Sequence, residues 1–383
     1  MIGIEALFVL SVGFTLYAVV GYPALLAVLV RVRPRPVRKR FVPQSITILL
    51  PVRNGSRWIE AKLQSLLTQR YPPELVDILV ISDGSTDDTD EIVQKFAPSG
   101  RVRLLRVSSG GKALAINAGI AEARGDLLFF TDVRQIITPD SLRSLVDCLG
   151  DPEVGAVSGE IVIRKGETLE EMSIGAYWKY EKWIRKHQSR IGSVTGVSGC
   201  VYMIPRALAV PLPAGTLLDD VYMPLAILRR GYRVVFEEGA VALDLPTALD
   251  SEFGRKVRTQ AGVYQVIRAF PWLLTPKNPI LLHFVSHKVA RLLLPWALVI
   301  AACTTVALPA PWRAVAASAQ ALFYGLAVID GFIPQAFPLK RISAPARSFL
   351  VLLAAAAYAI RVLFTPATDL WKETRVTSAH PVP

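Results

Sequence analysis

The chain has 383 residues, 52% of them apolar and 19% charged, and its 43 Lys and Arg against 31 Asp and Glu give a formal net charge of +12. This length allows two or three domains with a sizeable core, and the composition excludes a disordered chain, a collagen and a small disulfide scaffold. Three scattered cysteines and four histidines without ligand spacing argue against a thiolate metal site or a zinc enzyme.

The N-terminal 40 residues look like a membrane anchor. Residues 6–30 carry no charge, a run long enough to cross a bilayer core and too long for the core of a secretory signal. Six Lys and Arg follow within residues 31–40, and such a cluster holds its side of the membrane in the cytoplasm. The sequence therefore predicts an anchor over 1–40 with its N-terminus outside, in preference to a basic arm for nucleic acid.

Residues 41–280 have the pattern of an α/β domain. Short apolar runs alternate with helical patterns; the runs lie at 46–50, 76–81, 102–107 and 127–130, and the helical patterns near 57–69, 88–96, 112–123 and 139–149. This alternation predicts a mostly parallel, Rossmann-like sheet covered by helices on both faces.

Polar residues directly follow each apolar run of this domain. The segments are Pro51-Val52-Arg53-Asn54, Ser82-Asp83-Gly84-Ser85, Ser108-Ser109-Gly110-Gly111-Lys112 and Thr131-Asp132-Val133-Arg134. Ligands of such sheets bind at the carboxyl ends of the strands, so we expect one crevice. Neither a G-x-G-x-x-G fingerprint after the first strand nor a Walker motif occurs, which disfavours a dinucleotide enzyme and a nucleotide triphosphatase.

Several of these residues also have a purely structural interpretation. Asp83 could cap the helix that begins near residue 87. Asp132 ends a buried strand, where a bare carboxylate is costly unless it is paired or binds a metal. Lys112 begins a helix, where a cation is unfavourable unless an anion such as phosphate lies nearby. Asp219 and Asp220 suit the first turn of a helix, which is compatible with Asp220 also acting as a base.

The C-terminal third, 281–383, is apolar again. Residues 281–291 resemble an interfacial helix, and 292–310 and 314–339 are candidate spans. The run 348–360 has only 13 uncharged residues before Arg361 and spans only if that side chain snorkels. Two or three C-terminal spans therefore remain open, and with them the side on which the tail lies.

The motifs in this order resemble those of the membrane-bound, inverting family-2 glycosyltransferases of GT-A fold, over about residues 46–262. The resemblance rests on the segments that follow the four apolar runs, on Gly-Lys-Ala-Leu-Ala-Ile-Asn at 111–117, Thr-Gly-Val-Ser-Gly-Cys-Val-Tyr at 195–202, the Asp219-Asp220 helix and Arg-Lys-Val-Arg-Thr at 255–259. The family that the chain resembles includes the poly-N-acetylglucosamine, hyaluronan and cellulose synthases.

The resemblance implies roles for individual residues. Asp220 would be the general base that deprotonates the acceptor hydroxyl, and such a base contributes about 10²–10⁴ in rate. Gly199 and Asp219 would lie beside the acceptor. The donor would be bound by the remaining motif residues: Pro51, Asn54, Asp83, Lys112, Asp132, Arg134 and Arg258.

Two departures from the family pattern matter. The usual Asp-x-Asp metal motif reads Asp132-Val133-Arg134, which leaves Asp132 as the metal ligand for a Mg²⁺ or Mn²⁺ ion and allows Arg134 to face the phosphates instead. Polymerising members have a Gln-x-x-Arg-Trp motif, and this chain has threonine at position 259 in place of its tryptophan.

We therefore predict a multi-pass enzyme of the inner or plasma membrane with a cytoplasmic catalytic domain. It would move a sugar from a nucleotide-diphosphate donor, with UDP expected, to a membrane-associated acceptor such as a lipid-linked glycan. The alternatives are a processive exopolysaccharide synthase and a non-catalytic membrane sensor of nucleotide-sugars. Membrane lipids are the expected partners, nucleic acid is not, and the oligomeric state is left open.

Overall fold

The computed structural model describes residues 2–163, 169–245, 249–334 and 337–365. Of these, residues 33–163 and 185–245 form one compact unit, here called the sheet unit. Residues 2–32, 169–184, 249–334 and 337–365 form a second one, the helical unit. Within the predicted domain of 41–280, residues 169–184 and 249–280 cluster with the helical unit, and the bounds of the domain stay a prediction.

The sheet unit is built on a mixed eight-stranded sheet in the order β3-β2-β1-β4-β7-β6-β8-β5. Its strands are β1 Ile46–Val52, β2 Val76–Asp83, β3 Val102–Val107, β4 Leu127–Phe130, β5 Ile136–Ile137, β6 Val154–Ile163, β7 Tyr202–Pro205 and β8 Arg233–Asp244. The pairs β1–β2, β1–β4, β2–β3 and β6–β8 are parallel and the other three are antiparallel. The predicted mostly parallel α/β sheet is confirmed.

The α-helices follow in chain order along both units. They are α1 Ile2–Leu16, α2 Tyr22–Val32, α3 Ser56–Leu67, α4 Thr89–Lys95, α5 Lys112–Glu122, α6 Ser141–Leu149, α7 Leu169–Ile191, α8 Asp219–Arg229, α9 Leu249–Ala269, α10 Leu281–His283, α11 Ala290–Thr304, α12 Trp312–Ile329 and α13 Lys340–Tyr358. Helices α3 to α6 and strands β1 to β4 match the predicted elements, with ends shifted by a few residues.

The core of the sheet unit follows directly from the sequence pattern. The first five residues of β1 are all buried, as expected for a parallel strand covered on both faces. Helix α3 buries one side, at positions 59, 62, 63 and 66, with the spacing of an apolar helical stripe. One member of this stripe is Lys62, whose side chain is therefore carried into the core.

The helical unit contains four helical segments long and apolar enough to cross a membrane: Gly3–Val32, Leu281–Ala307, Trp312–Phe332 and Lys340–Leu363. Large apolar side chains face outward on them, such as Val306 at 73% and Phe332 at 87% exposure. These four segments indicate membrane association.

Two segments predicted in the C-terminal third can be compared with the helices of the structure. Residues 281–291, expected to be interfacial, continue without a break into the following apolar run. The uncharged run 348–360 belongs to a longer segment, Lys340–Leu363. The sequence also has a C-terminal segment, Trp371-Lys372-Glu373-Thr374-Arg375, that resembles a Trp-Lys-x-Thr-Arg tail of family-2 synthases, and it lies outside the described residues.

Candidate active site

The carboxyl ends of three neighbouring parallel strands form one edge of the sheet unit. Leu49 of β1 pairs with Phe130 of β4, and Val52 of β1 pairs with Ser82 of β2. This register brings the residues that follow the strands to the same edge. Segments up to about 80 residues apart along the chain, which contain Asn54, Asp83 and Asp132, therefore meet at the edge where the crevice is predicted.

Asp83 is buried at the end of β2 and holds the loop that precedes α5. Its Oδ1 accepts a hydrogen bond from the Gly110 amide at 2.7 Å, and its Oδ2 accepts one from the Gly111 amide at 3.0 Å. The N-cap of α4 is Asp88, which makes no side-chain cap bond, and Asp87 accepts hydrogen bonds from the Thr89 amide and hydroxyl. Asp83 thus positions the start of α5, and its role at the nucleotide stays a prediction.

Pro51 and Asn54 shape the first loop of the crevice. Pro51 is half-buried near the end of β1. Asn54 adopts a left-handed conformation, with φ of 52°, which asparagine tolerates better than most residues. Its side-chain oxygen accepts a hydrogen bond from the Thr86 amide at 2.8 Å, and its own amide donates to Ser85 Oγ at 3.1 Å. The loops after β1 and β2 are therefore tied together.

Lys112 lies between two carboxylates. Its Nζ is 2.9 Å from Asp132 Oδ1 and 3.4 Å from Asp219 Oδ2. Burial opposes the charge on Lys112, but Asp132 and Asp219 outweigh it and raise the pKa of the ammonium. Burial likewise opposes the charge on Asp132, and Lys112 outweighs it and lowers the pKa of that carboxyl. The anions expected near the start of α5 are thus present within the protein itself.

Gly199 and Asp220 lie in contact. A Cβ added at Gly199 would be 3.3 Å from Asp220 Cβ and 3.4 Å from its Oδ2, so the turn at Gly199 packs against this carboxyl. The Val197 amide also donates to the Asp220 carbonyl at 2.9 Å. Asp219 and Asp220 form the first turn of α8, where the helix dipole favours negative charge. The predicted acceptor residues and the predicted base are thus brought together.

Arg134 is engaged by a residue that sequence reasoning did not single out. Its Nε and Nη2 donate to the two carboxylate oxygens of Asp244 at 2.9 and 2.8 Å, and Gln135 Nε2 donates to the same carboxylate at 2.9 Å. Asp244 ends β8 much as Asp132 follows β4. An aspartate at the end of an apolar strand was therefore the sequence feature that could have indicated Asp244. The role of Arg134 at the phosphates stays a prediction.

Two further residues near the crevice were missed. Lys62 Nζ is fully buried and donates to Thr131 Oγ1 and to the Gln135 carbonyl, both at 2.6 Å; burial lowers its pKa to about 7. Tyr202 stacks on Phe130 with ring centroids 4.3 Å apart, and burial together with Asp219 raises its pKa well above the usual value. A cation inside the apolar stripe of α3 was the signal for Lys62.

Arg258 lies on α9 in the helical unit and is half-buried. Its predicted contact with the diphosphate stays a prediction. It is the one member of the predicted site that does not belong to the sheet unit.

The residues present could hold a divalent ion only together with the phosphates of a bound donor. Among the described residues, no cluster of three or more His, Cys, Asp and Glu side chains could hold a metal ion. A Mg²⁺ ion, however, is usually bound by one or two carboxylates together with substrate phosphates and water. Asp132, which is 39% exposed at the side chain, provides one such carboxylate.

Comparison with known proteins places these features in a family. Residues 132–333 match the model of glycosyl transferase family group 2, and residues 47–209 match that of glycosyl transferase family 2. The chain is 28% identical over 231 residues to the poly-beta-1,6-N-acetyl-D-glucosamine synthase of Staphylococcus aureus, covering 58% of this chain and 56% of that protein. With the Staphylococcus epidermidis synthase the identity is 25% over 236 residues, covering 60% and 57%. The chain thus spans little more than half the length of these relatives.

A solved structure supports the fold. The mannosyltransferase PcManGT from Pyrobaculum calidifontis, solved in complex with GDP-Man and Mn²⁺, superposes with a TM-score of 0.69 at 22% identity, over 94% of this chain and 99% of that one.

Proposed function

This chain is a member of glycosyltransferase family 2, and we propose that it is an inverting enzyme that moves a sugar from a nucleotide-diphosphate donor to a membrane-associated acceptor such as a lipid-linked glycan. The observation that carries the proposal is the contact between Gly199 and the carboxyl of Asp220, in the unit where Lys112 also joins Asp132 to Asp219. An acceptor beside Gly199 would present its hydroxyl to Asp220.

Each residue then has a step in the reaction. Asp220 takes the proton of the acceptor hydroxyl as that oxygen attacks the anomeric carbon, and the nucleoside diphosphate leaves from the opposite face of the sugar. Lys112 supplies fixed positive charge to the departing diphosphate, the role that the family resemblance also assigns to Arg258. Asp132 would hold a Mg²⁺ or Mn²⁺ ion, which adds positive charge at the same phosphates.

We place the enzyme in the cell membrane, with the sheet unit in the cytoplasm where nucleotide-sugars are made. The six Lys and Arg of residues 31–40 directly follow the first candidate span, which supports this orientation.

A processive polysaccharide synthase is the second candidate, favoured by the similarity to the two staphylococcal synthases. Threonine at position 259, where polymerising members have tryptophan, supports the single transfer instead. A ladder of long glycan chains made by the purified protein would favour the synthase, and a single added sugar the transferase.

The direct test is a screen of UDP- and GDP-sugars with the purified full-length chain. A bound donor raises the melting temperature by mass action, and turnover releases a nucleoside diphosphate. We expect one donor to stabilise the protein and to be consumed when membrane lipid extract is added. If no donor stabilises the protein or is consumed, the proposal fails.

A further inference from the structure

A fully buried lysine contacts the loop that follows β4, and the proposed reaction gives it no step. Lys62 is 0% exposed and lies in the stripe of α3 whose other members are Ile59, Leu63 and Leu66. Burial of an amine among apolar side chains is unfavourable unless hydrogen bonds replace its lost hydration. The groups to which its nitrogen donates therefore show what this side chain holds in place.

The Lys62 nitrogen binds both ends of one loop. It donates to Thr131 Oγ1 and to the Gln135 carbonyl oxygen, both at 2.6 Å. The loop 131–135 lies between β4 and β5 and carries Asp132, the predicted metal ligand. Because one side chain fixes the first and the last residue of this short loop, few positions are open to Asp132 between them.

The second half of the loop has an attachment of its own. The carboxylate of Asp244 accepts hydrogen bonds from the side chains of Arg134 and Gln135. Among the described contacts, this attachment does not reach Thr131. Loss of the Lys62 amine should therefore displace the first half of the loop and leave the second half in place.

The Thr131 hydroxyl extends the attachment to the turn beside Asp220. It accepts from Lys62 and donates to the Cys200 carbonyl oxygen at 2.8 Å. A hydroxyl has one proton to donate, and because Lys62 supplies the proton of the first bond, the hydroxyl proton is left for Cys200. Cys200 directly follows Gly199, which packs against the Asp220 carboxyl. One hydrogen-bonded chain thus connects the loop after β4 with this turn.

Solvent does not compete for the bonds of this chain. Lys62 is 0% exposed, Thr131 1% and Cys200 3%. In such a buried place each hydrogen bond is stronger than in water, and a group that loses its partner is costly. The loop and the turn are therefore held in one arrangement.

We propose that Lys62 is a positioning residue for the sugar transfer. Through Thr131 it sets the separation between Asp132, on the donor side, and the Gly199 turn, where the acceptor would lie. Being fully buried, Lys62 would touch neither substrate. The role rests on the proposed function, because only a reaction between groups held at these two segments depends on their separation. A misplacement of about 1 Å can cost about 100-fold in rate.

The test compares the purified full-length chain with Lys62→Met, which keeps a similar side-chain length and removes both hydrogen bonds. We expect kcat, measured by nucleoside diphosphate release, to fall by about tenfold to 100-fold, while the KM for the donor changes by less than about threefold. The donor-induced rise in melting temperature should persist, because the loss concerns the alignment of donor and acceptor and not the binding of the donor.

Gln69→Met is the matched control. Gln69 is 8% exposed, and its amide donates to the Ile137 and Thr138 carbonyl oxygens at 3.3 and 3.0 Å, just beyond the loop. The variant also removes buried hydrogen bonds, so it should lower the melting temperature while kcat stays native. Equal loss of kcat in the two methionine variants, at a temperature where both are folded, would reveal a general effect of core damage and would overturn the proposal.

Two variants of Thr131 probe the same chain of bonds if Lys62→Met does not fold. Thr131→Val lacks the hydroxyl and should lose kcat as Lys62→Met does, whereas Thr131→Ser keeps the hydroxyl and should retain most of the native kcat. Native kcat in Thr131→Val, or in a folded Lys62→Met, would overturn the positioning role alone. Absence of turnover in the native chain with every UDP- and GDP-sugar would overturn the proposed function, and the positioning role with it.

Discussion

Arg134 and Asp244 form a two-point ion pair, with guanidinium nitrogens 2.9 and 2.8 Å from the two carboxylate oxygens. The arginine stands where family members have the second aspartate of their metal motif. The pair joins the loop after β4 to the end of β8. Side-chain exposure is 17% for Arg134 and 4% for Asp244.

We predict that Arg134→Gln lowers the free energy of unfolding by about 3 kcal/mol, because it leaves a buried carboxylate without its charge partner. Arg70→Gln is the matched control, since Arg70 pairs with Asp140 at the surface and should cost at most about 1 kcal/mol. Thermal unfolding followed by intrinsic fluorescence compares the two. Equal losses would show that the Arg134 pair has no special structural role.

Asp220→Asn should reduce sugar transfer by about 10²–10⁴ while donor binding persists, because an amide cannot take the acceptor proton. Asp140→Asn, an exposed acid in the same unit, should leave the rate unchanged. Rates come from nucleoside diphosphate release, and binding from the donor-induced rise in melting temperature. If Asp220→Asn keeps the native turnover, Asp220 is not the general base. A native chain that binds the donor but shows no turnover would instead be a sensor of nucleotide-sugars.

Gly199→Ala should lower kcat by about tenfold with little loss of stability, because the new methyl would lie 3.3 Å from Asp220 Cβ and 3.4 Å from its Oδ2 and would displace this side chain by a few tenths of an ångström. Gly192→Ala is the control, since a Cβ there meets no atom within 4 Å. Steady-state kinetics and melting temperatures separate the two effects. The contact with Asp220 has no catalytic consequence if both alanine variants keep the native kcat.

Lys62 should make stability depend on pH above neutrality. Burial lowers its pKa to about 7 in the folded protein, against 10.5 in the unfolded chain. Between these values the unfolded chain binds more protons, so the free energy of unfolding rises with pH, by about 1 kcal/mol per unit. The neutral amine retains two N–H groups for Thr131 and Gln135.

Lys62→Met isolates this contribution, because methionine has a similar length and no proton to release. Denaturant unfolding of both proteins between pH 7 and 10 should give a steeper rise for the native chain than for the variant. Parallel pH profiles would mean that Lys62 remains charged in the folded state.

Removal of divalent cations should abolish transfer, and Mn²⁺ or Mg²⁺ should restore it, because Asp132 would bind the ion together with the donor phosphates. Asp132→Asn should raise the Mn²⁺ concentration needed for half-maximal activity by about tenfold or more. Activity is measured in EDTA and during titration with each metal. Full activity in EDTA would show that side-chain cations such as Lys112, and not a metal ion, provide the positive charge at the diphosphate.

Much of the sheet unit was predictable from the sequence. Strands buried on both faces are continuous apolar runs, and the helices between them carry a 3.6-residue pattern, so β1 to β4 and α3 to α6 were found nearly in place. The polar residues after those strands followed from the rule that parallel strands end at one edge. The apolar runs at both ends likewise predicted membrane-crossing segments from their length alone.

Partners between distant segments were decided only by the tertiary structure. Asp83 with the Gly110–Gly111 loop, Arg134 with Asp244, and Gly199 with Asp220 are separated by 20 or more residues and share no local pattern. Local sequence determines which backbone a segment adopts and which side is apolar. The choice of a charge's partner depends on which loops the sheet order brings together, and that order is set by packing over the whole unit.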